Sequence, residues 1–262
     1  MRPEIRFDAP SHTYEVKAGD EWQTDFPSVT TVVKATVPVP FSAGAWYGYK
    51  MGCSAAFMAH DLGLLSEELT PISTEFDEFY DACKKYENPN SVLTKAGDRG
   101  TLVHQAIEQY GLTGTAPNPQ DFEPEDRKRI QGVASWLLDN DLQFHAQEVR
   151  TASLEFRYVG TFDALVSFGA GPHKGKLALL DWKTSKRVYP DQHFPQLAAY
   201  VEAEKEAAFP DGKPELAAIV HIPESGRVKL HESSDTFEDF EVLLAQYRSA
   251  KAREARLKAA KK

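Results

Sequence analysis

An aspartate and a lysine two residues apart, Asp181 and Lys183, close the apolar run Leu177-Ala178-Leu179-Leu180. The run reads as a buried strand. Side chains alternate along a strand, so the carboxylate and the ammonium emerge on one face. The carboxylate can hold a divalent cation, and the ammonium can orient a water or offset negative charge as it develops. Asp-x-Lys alone fits a surface salt bridge equally well, so its surroundings decide. Upstream, Tyr158-Val159-Gly160-Thr161-Phe162-Asp163-Ala164-Leu165-Val166 alternates and is β-rich, which predicts a strand carrying one acid, Asp163, in an apolar setting. Neighbouring strands would bring Asp163, Asp181 and Lys183 together. Two close carboxylates repel unless a cation lies between them or one holds a proton. Mg²⁺, which binds through one or two carboxylates plus waters and phosphate oxygens, meets that need.

Three other segments must position this group. Gly100 to Glu108 reads as the start of an amphipathic helix, with Leu102, Val103, Ala106 and Ile107 as its apolar stripe and His104 and Glu108 on a neighbouring face. Before it, Lys95-Ala96-Gly97-Asp98-Arg99-Gly100 is expected to be the helix entry. Either its free amides accept phosphate with help from Lys95 and Arg99, or it is a turn capped by Asp98. Gln196-Leu197-Ala198-Ala199-Tyr200 is expected to open a helix running to about Ala208, with Gln196 and Tyr200 on one face. Glu148 falls in the strand expected before that of Asp163.

Taken in order, Gly100-Thr101-x-x-His104, Gly160-Thr161-x-Asp163, Asp181-x-Lys183-Thr184 and Gln196-x-x-x-Tyr200 resemble the motif series of the PD-(D/E)XK nuclease superfamily. The similarity is to its RecB-like exonuclease branch, which includes CRISPR-associated RecB-like exonucleases, the mitochondrial genome maintenance exonuclease and phage exonucleases. It covers roughly Gly97 to Tyr200, and more loosely Pro27 to Val33. The resemblance implies that His104, Asp163 and Asp181 are metal ligands, joined by the backbone carbonyl of Trp182. It implies that Asp163, Asp181 and Lys183 are the catalytic set and that Gln196 and Tyr200 lie near nucleic acid. Related phage proteins often carry a glutamate where Glu148 stands, so the resemblance makes Glu148 an accessory candidate that could reach the metal or the nucleic acid. The implied cofactor is Mg²⁺ or Mn²⁺, and a histidine ligand tilts the choice toward Mn²⁺. The CRISPR-associated members hold an iron–sulfur cluster on four cysteines. This chain has only Cys53 and Cys83, so no such cluster is expected within one chain.

The expected fold class is α/β: a PD-(D/E)XK nuclease core with a mixed central β-sheet flanked by helices and an N-terminal helical cap. Residues 1–95 would form a hairpin and the cap, and residues 96–262 the core, together one compact unit. Short strands are expected at Arg6–Asp8 and His12–Val16 with a turn at Gly19-Asp20; Ser28 to Lys34 reads as strand or helix by periodicity, and the resemblance implies a helix capped by Ser28. A helix following Ser42 would carry Ala43, Trp46, Tyr47 and Tyr49. A helix is expected over Pro124–Asn140 with Pro124 in its first turn, strands over Phe144–Phe156, Leu216–Ile222 and Gly226–Leu230, and a last helix from Thr236 capped by Ser234 or Asp235.

The net charge is −9, which argues against a protein that coats nucleic acid by bulk charge. A nuclease is still allowed, because local field outweighs total charge. Acids crowd Ser66–Tyr86, while Arg248 to Lys262 is basic. The first residues lack the apolar core of a signal peptide, no run approaches a membrane span, and two widely spaced cysteines suit a reduced compartment. The expected setting is therefore cytoplasmic, with no membrane partner, and the resemblance implies a bacterial or phage-infected cell. The activity the resemblance implies is a metal-dependent DNA exonuclease acting on DNA ends or single strands, in recombination, repair or phage replication, with a recombination or single-strand-binding protein as a further partner. The alternatives are a structure-specific or site-specific endonuclease, which would share this site, and a non-catalytic nuclease-like DNA-binding subunit.

Overall fold

The computed structural model describes residues 1–9, 11, 13–37, 52 and 89–260. The helix expected after Ser42, the acidic segment and both cysteines lie outside them. The chain divides into two compact units, Met1–Val37 with Leu102–Lys262, and Pro38–Thr101. Among the described residues no helix is long and apolar enough to cross a membrane.

In chain order the first unit begins with strands β1 (Ile5–Asp8), β2 (Thr13–Ala18) and β3 (Glu21–Gln23) and helix α1 (Val29–Thr36). Helix α2 spans Pro89–Thr113, and α3 spans Arg127–Asp139. Strands β4 (Leu142–Ser153), β5 (Tyr158–Phe168) and β6 (Leu177–Lys183) follow, then α4 (Pro190–Glu206), β7 (Leu216–His221), β8 (Lys229–Glu232) and α5 (Phe237–Ala259). The first three strands form a small antiparallel sheet, and β4 to β8 form a five-stranded sheet in sequence order. Within the five-stranded sheet β6 and β7 pair in parallel and its other neighbours antiparallel. Parallel neighbours need a crossover rather than a hairpin, and α4 provides it. The sheet is therefore mixed and flanked by helices, as expected for the α/β class.

The central strand explains why the sequence reads as it does. Leu179 and Leu180 are both fully buried, one on each face, which requires a continuous apolar run rather than alternation. Leu180 and Trp182 pack with Val103 and Ile107 of α2 and Ile130 and Leu137 of α3. Leu179 packs with Val29 and Val32 of α1, Leu197 and Tyr200 of α4 and Phe240 of α5. Each such side chain stabilises the unit by about 1.5–3 kcal/mol relative to exposure. Asp181 is thus the first polar residue on a strand held from both faces.

Several boundaries differ from the sequence reading. Ser28 caps α1 as expected, accepting from the Thr31 amide at 3.1 Å. Lys95–Gly100 is not a turn: α2 runs through it, and helix tolerates interior glycine at about 1 kcal/mol each. Helix α3 starts after Asp126, whose amide closes a turn on the Glu123 carbonyl at 2.9 Å, so Pro124 precedes the helix. Helix α4 starts at Pro190, six residues before Gln196, and contains Pro195. Strand β8 lies later than expected. Thr236, rather than Ser234 or Asp235, caps α5 through a capping box with Asp239.

Candidate metal centre

Strands β5 and β6 align Ala164 with Leu180 and Val166 with Ala178. One step further along that register, Asp163 faces Asp181. Between them lies the peptide of Trp182. Its amide donates to Asp163 Oδ2 at 2.6 Å, and its carbonyl oxygen is 3.2 Å from His104 Nε2. His104 Nδ1 is 3.7 Å from Asp163 Oδ1. The Trp182 ring anchors this peptide from the opposite face, edge-on to Trp136 at 6.2 Å and beside Phe144 at 6.5 Å. Lys183 Nζ is 2.5 Å from Asp181 Oδ2, as the two-residue spacing predicts.

Glu148 enters by a backbone irregularity. The β4–β5 ladder pairs Gln147 with Ala164 and Val149 with Phe162, leaving the step opposite Asp163 open. There Glu148 adopts φ 49°, a conformation uncommon outside glycine and frequent at functional sites. The result is a cluster in which His104, Glu148 and Asp163 each offer a ligand atom within 4.8 Å of the others. This group could hold a metal ion. Asp181 stands beside it with its inner oxygen on Lys183. The sequence reading had set Asp181, not Glu148, among the first ligands.

The electrostatics favour a cation. Three carboxylates, Glu148, Asp163 and Asp181, face one ammonium. Burial, and next the Asp181 carboxylate, hold the Asp163 carboxyl well above the usual range against Lys183 and the Trp182 amide. Burial likewise pushes Glu148 up, with Glu108 and Asp181 adding to it, although its side chain still reaches solvent. Burial pushes the Lys183 ammonium down, but Asp181 and Asp163 outweigh it and keep it above its ordinary value. His104 is pushed down by burial, and by Lys183 against Asp181, which favours the neutral imidazole a metal requires. Ligands at about 2.1 Å on adjacent corners of an octahedron lie about 3.0 Å apart, close to the separation of His104 Nε2 and the Trp182 oxygen. The residues present therefore fit a divalent ion.

Helix α4 closes the site from one face. His193, Gln196 and Tyr200 share a helix stripe and are 7 %, 5 % and 2 % exposed. A Cβ added at Gly160 would lie 2.6 Å from Tyr200 Cε1, and the Tyr200 ring centre is 6.2 Å from that of Phe162. The glycine of Gly-Thr-x-Asp and the tyrosine of Gln-x-x-x-Tyr are thus one packing unit, which sets α4 against the strand of Asp163. We expect Gly160→Ala to destabilise the protein by about 1–3 kcal/mol through overpacking, read as a lower urea midpoint at unchanged slope. Burial, then Asp181 and Asp163, push the Tyr200 hydroxyl well up, so it stays a neutral donor. Gln196 Oε1 is buried without a hydrogen-bond partner among the described residues.

His193 escaped the sequence reading, which opens the helix at Gln196; the signal available was its three-residue spacing from Gln196. Lys95 is exposed and Arg99 half-buried. Both sit in the α2 segment of the other unit, where helix occupies the amides that a phosphate-binding turn would have offered.

No protein-family model matches the chain, and no curated protein does. Among solved structures it is similar to one described as the crystal structure of SSO0001, at 14% identity and a TM-score of 0.31, over 76% of this chain and 83% of the other. A likeness at that score carries no argument.

Proposed function

We propose that this chain is a divalent-metal-dependent deoxyribonuclease, acting as an exonuclease on DNA ends or single strands. The observation that carries the reading is the meeting of Asp163, Asp181 and Lys183 at one level of the sheet, with His104 and the Trp182 peptide against them. His104, Glu148, Asp163 and the Trp182 carbonyl would hold the ion, with Asp181 alongside. A bound Mg²⁺ or Mn²⁺ supplies a more acidic water and offsets charge on the phosphate.

The remaining work falls to the protein. Asp181 holds Lys183 at the strand end, where the ammonium orients the attacking water and steadies charge that grows on the phosphate. The Trp182 amide fixes one Asp163 oxygen and leaves the other to face His104. Tyr200 and Gln196 roof the site and restrict water, which strengthens each charge interaction beneath them.

The test is digestion of a linear duplex, a linear single strand and a closed single-stranded circle, with Mg²⁺, Mn²⁺ or EDTA. Metal-dependent loss of linear DNA with the circle spared is expected. Cutting of the circle would move the assignment to an endonuclease, and no metal-dependent cutting of any substrate would leave a DNA-binding protein with a nuclease-like site.

A further inference from the structure

His193 is a buried, polar residue for which the proposed chemistry has assigned no role. It sits one helical turn before Gln196 on the stripe that roofs the site. Its Nδ1 accepts the Tyr189 amide at 3.4 Å, and its ring meets Tyr189 edge-on at 5.9 Å. Burial, with Lys183 adding to it, brings its pKa down to about 4, so the ring is neutral near pH 7. In a neutral imidazole the nitrogen that does not accept carries the proton, so the Nε2–H is a donor of fixed tautomer.

The surroundings of that donor are built for an anion. The turn Thr184–Tyr189 leaves the strand directly after Lys183. It is pinned from β7, where His221 donates from Nε2 to the Ser185 carbonyl at 2.8 Å. Lys183 and His221 are partners in the β6–β7 register. The turn exposes Lys186 and Arg187, and the Arg187 guanidinium stacks over the Tyr189 ring at 4.9 Å. Lys183 ends the strand, Arg187 lies on the turn that follows it, and His193 sits in the first turn of the helix beyond, so two cations and a neutral imidazole donor follow one another along the chain.

Resting on the nuclease reading, we propose that His193 is a phosphate-binding residue. Its Nε2–H donates to a non-bridging oxygen of the nucleotide next to the scissile bond, on the Lys183 side, with Arg187 as the exposed counter-charge. A neutral donor suits this place: it holds the phosphate without competing with the metal for the carboxylates.

Two substitutions separate this role from simple support of the Tyr189 turn. His193→Gln sets an amide N–H near the Nε2 position but leaves Nδ1 unreplaced. His193→Asn sets an amide oxygen near Nδ1, able to accept from Tyr189, and removes the distal donor. Both are compared with the wild-type protein for KM and kcat on a linear single-stranded oligonucleotide with Mn²⁺. The expected result is a KM raised about tenfold or more in His193→Asn, the loss of one charge-assisted hydrogen bond, with kcat little changed and near wild-type KM in His193→Gln. Wild-type KM in both variants overturns the assignment. So does loss in His193→Gln with retention in His193→Asn, which would make His193 a support of the turn, and so does equal loss in both. Absence of metal-dependent cleavage by the wild-type protein would overturn the nuclease reading and this inference with it.

Discussion

Lys183→Ala is expected to slow metal-dependent DNA cleavage about 10³-fold, near 4 kcal/mol of transition-state stabilisation, while KM changes little. The ammonium is held above its ordinary pKa by Asp181 and Asp163, so it is charged throughout the working range. Its value is greatest when negative charge grows on the phosphate, and an interaction made chiefly in the transition state appears in kcat. The substitution also leaves Asp181 without its 2.5 Å partner, which adds a stability cost because removing one member of a buried pair strands the other. Divalent metal should offset part of that cost. Single-turnover rates with saturating Mn²⁺, beside thermal melts with and without the ion, check both effects. Full activity in Lys183→Ala would remove the lysine from the mechanism.

Asp163→Asn is expected to stabilise the metal-free protein and to abolish its stabilisation by metal. Asp163 is crowded by Asp181 and Glu148, and burial and like charge oppose its ionisation. An amide of the same shape removes one of three facing carboxylates, and its oxygen can still accept from the Trp182 amide. Relief of about 1–2 kcal/mol follows, a rise of about 3–6 °C in melting temperature for a chain of this size. The same change removes a charged ligand, so Mg²⁺ or Mn²⁺ should no longer raise the melting temperature and cleavage should cease. Active sites often carry such a trade between stability and function. A lower melting temperature in the metal-free variant would show that the Asp163 charge contributes favourably without an ion.

The chemistry of this site was legible wherever strand periodicity alone decides placement. Asp181 and Lys183 share a face because a strand repeats every two residues, and Asp163 meets them because two apolar strands pair in register. The Ser28 cap was legible only through the family resemblance, because the β-branched run Val29-Thr30-Thr31-Val32-Val33 by propensity reads as a strand, and packing of α1 on the sheet overrides it. What escaped depends on exceptions to local preference. Glu148 was a candidate only through the resemblance, and it reaches the cluster through a positive φ that nothing in Gln147-Glu148-Val149 announces. The first turns of α4, and His193 with them, lie ahead of the Gln196 start that the sequence suggests, and the helix holds Pro195 inside it at the cost of one hydrogen bond. Gly97 and Gly100 suggested a turn, and the long helix α2 overrides them. The role of Gly160 needed the structure, because only there does the ring of Tyr200 occupy the space of the missing side chain.

Calorimetric titration of the metal-free protein with Mn²⁺, beside Asp163→Asn and Asp181→Asn, tests the central claim most directly, since it asks whether these carboxylates hold an ion at all. Saturable binding to the wild-type protein that is lost in Asp163→Asn and weakened in Asp181→Asn is the predicted result. No binding to the wild-type protein, or equal binding to all three, would contradict it.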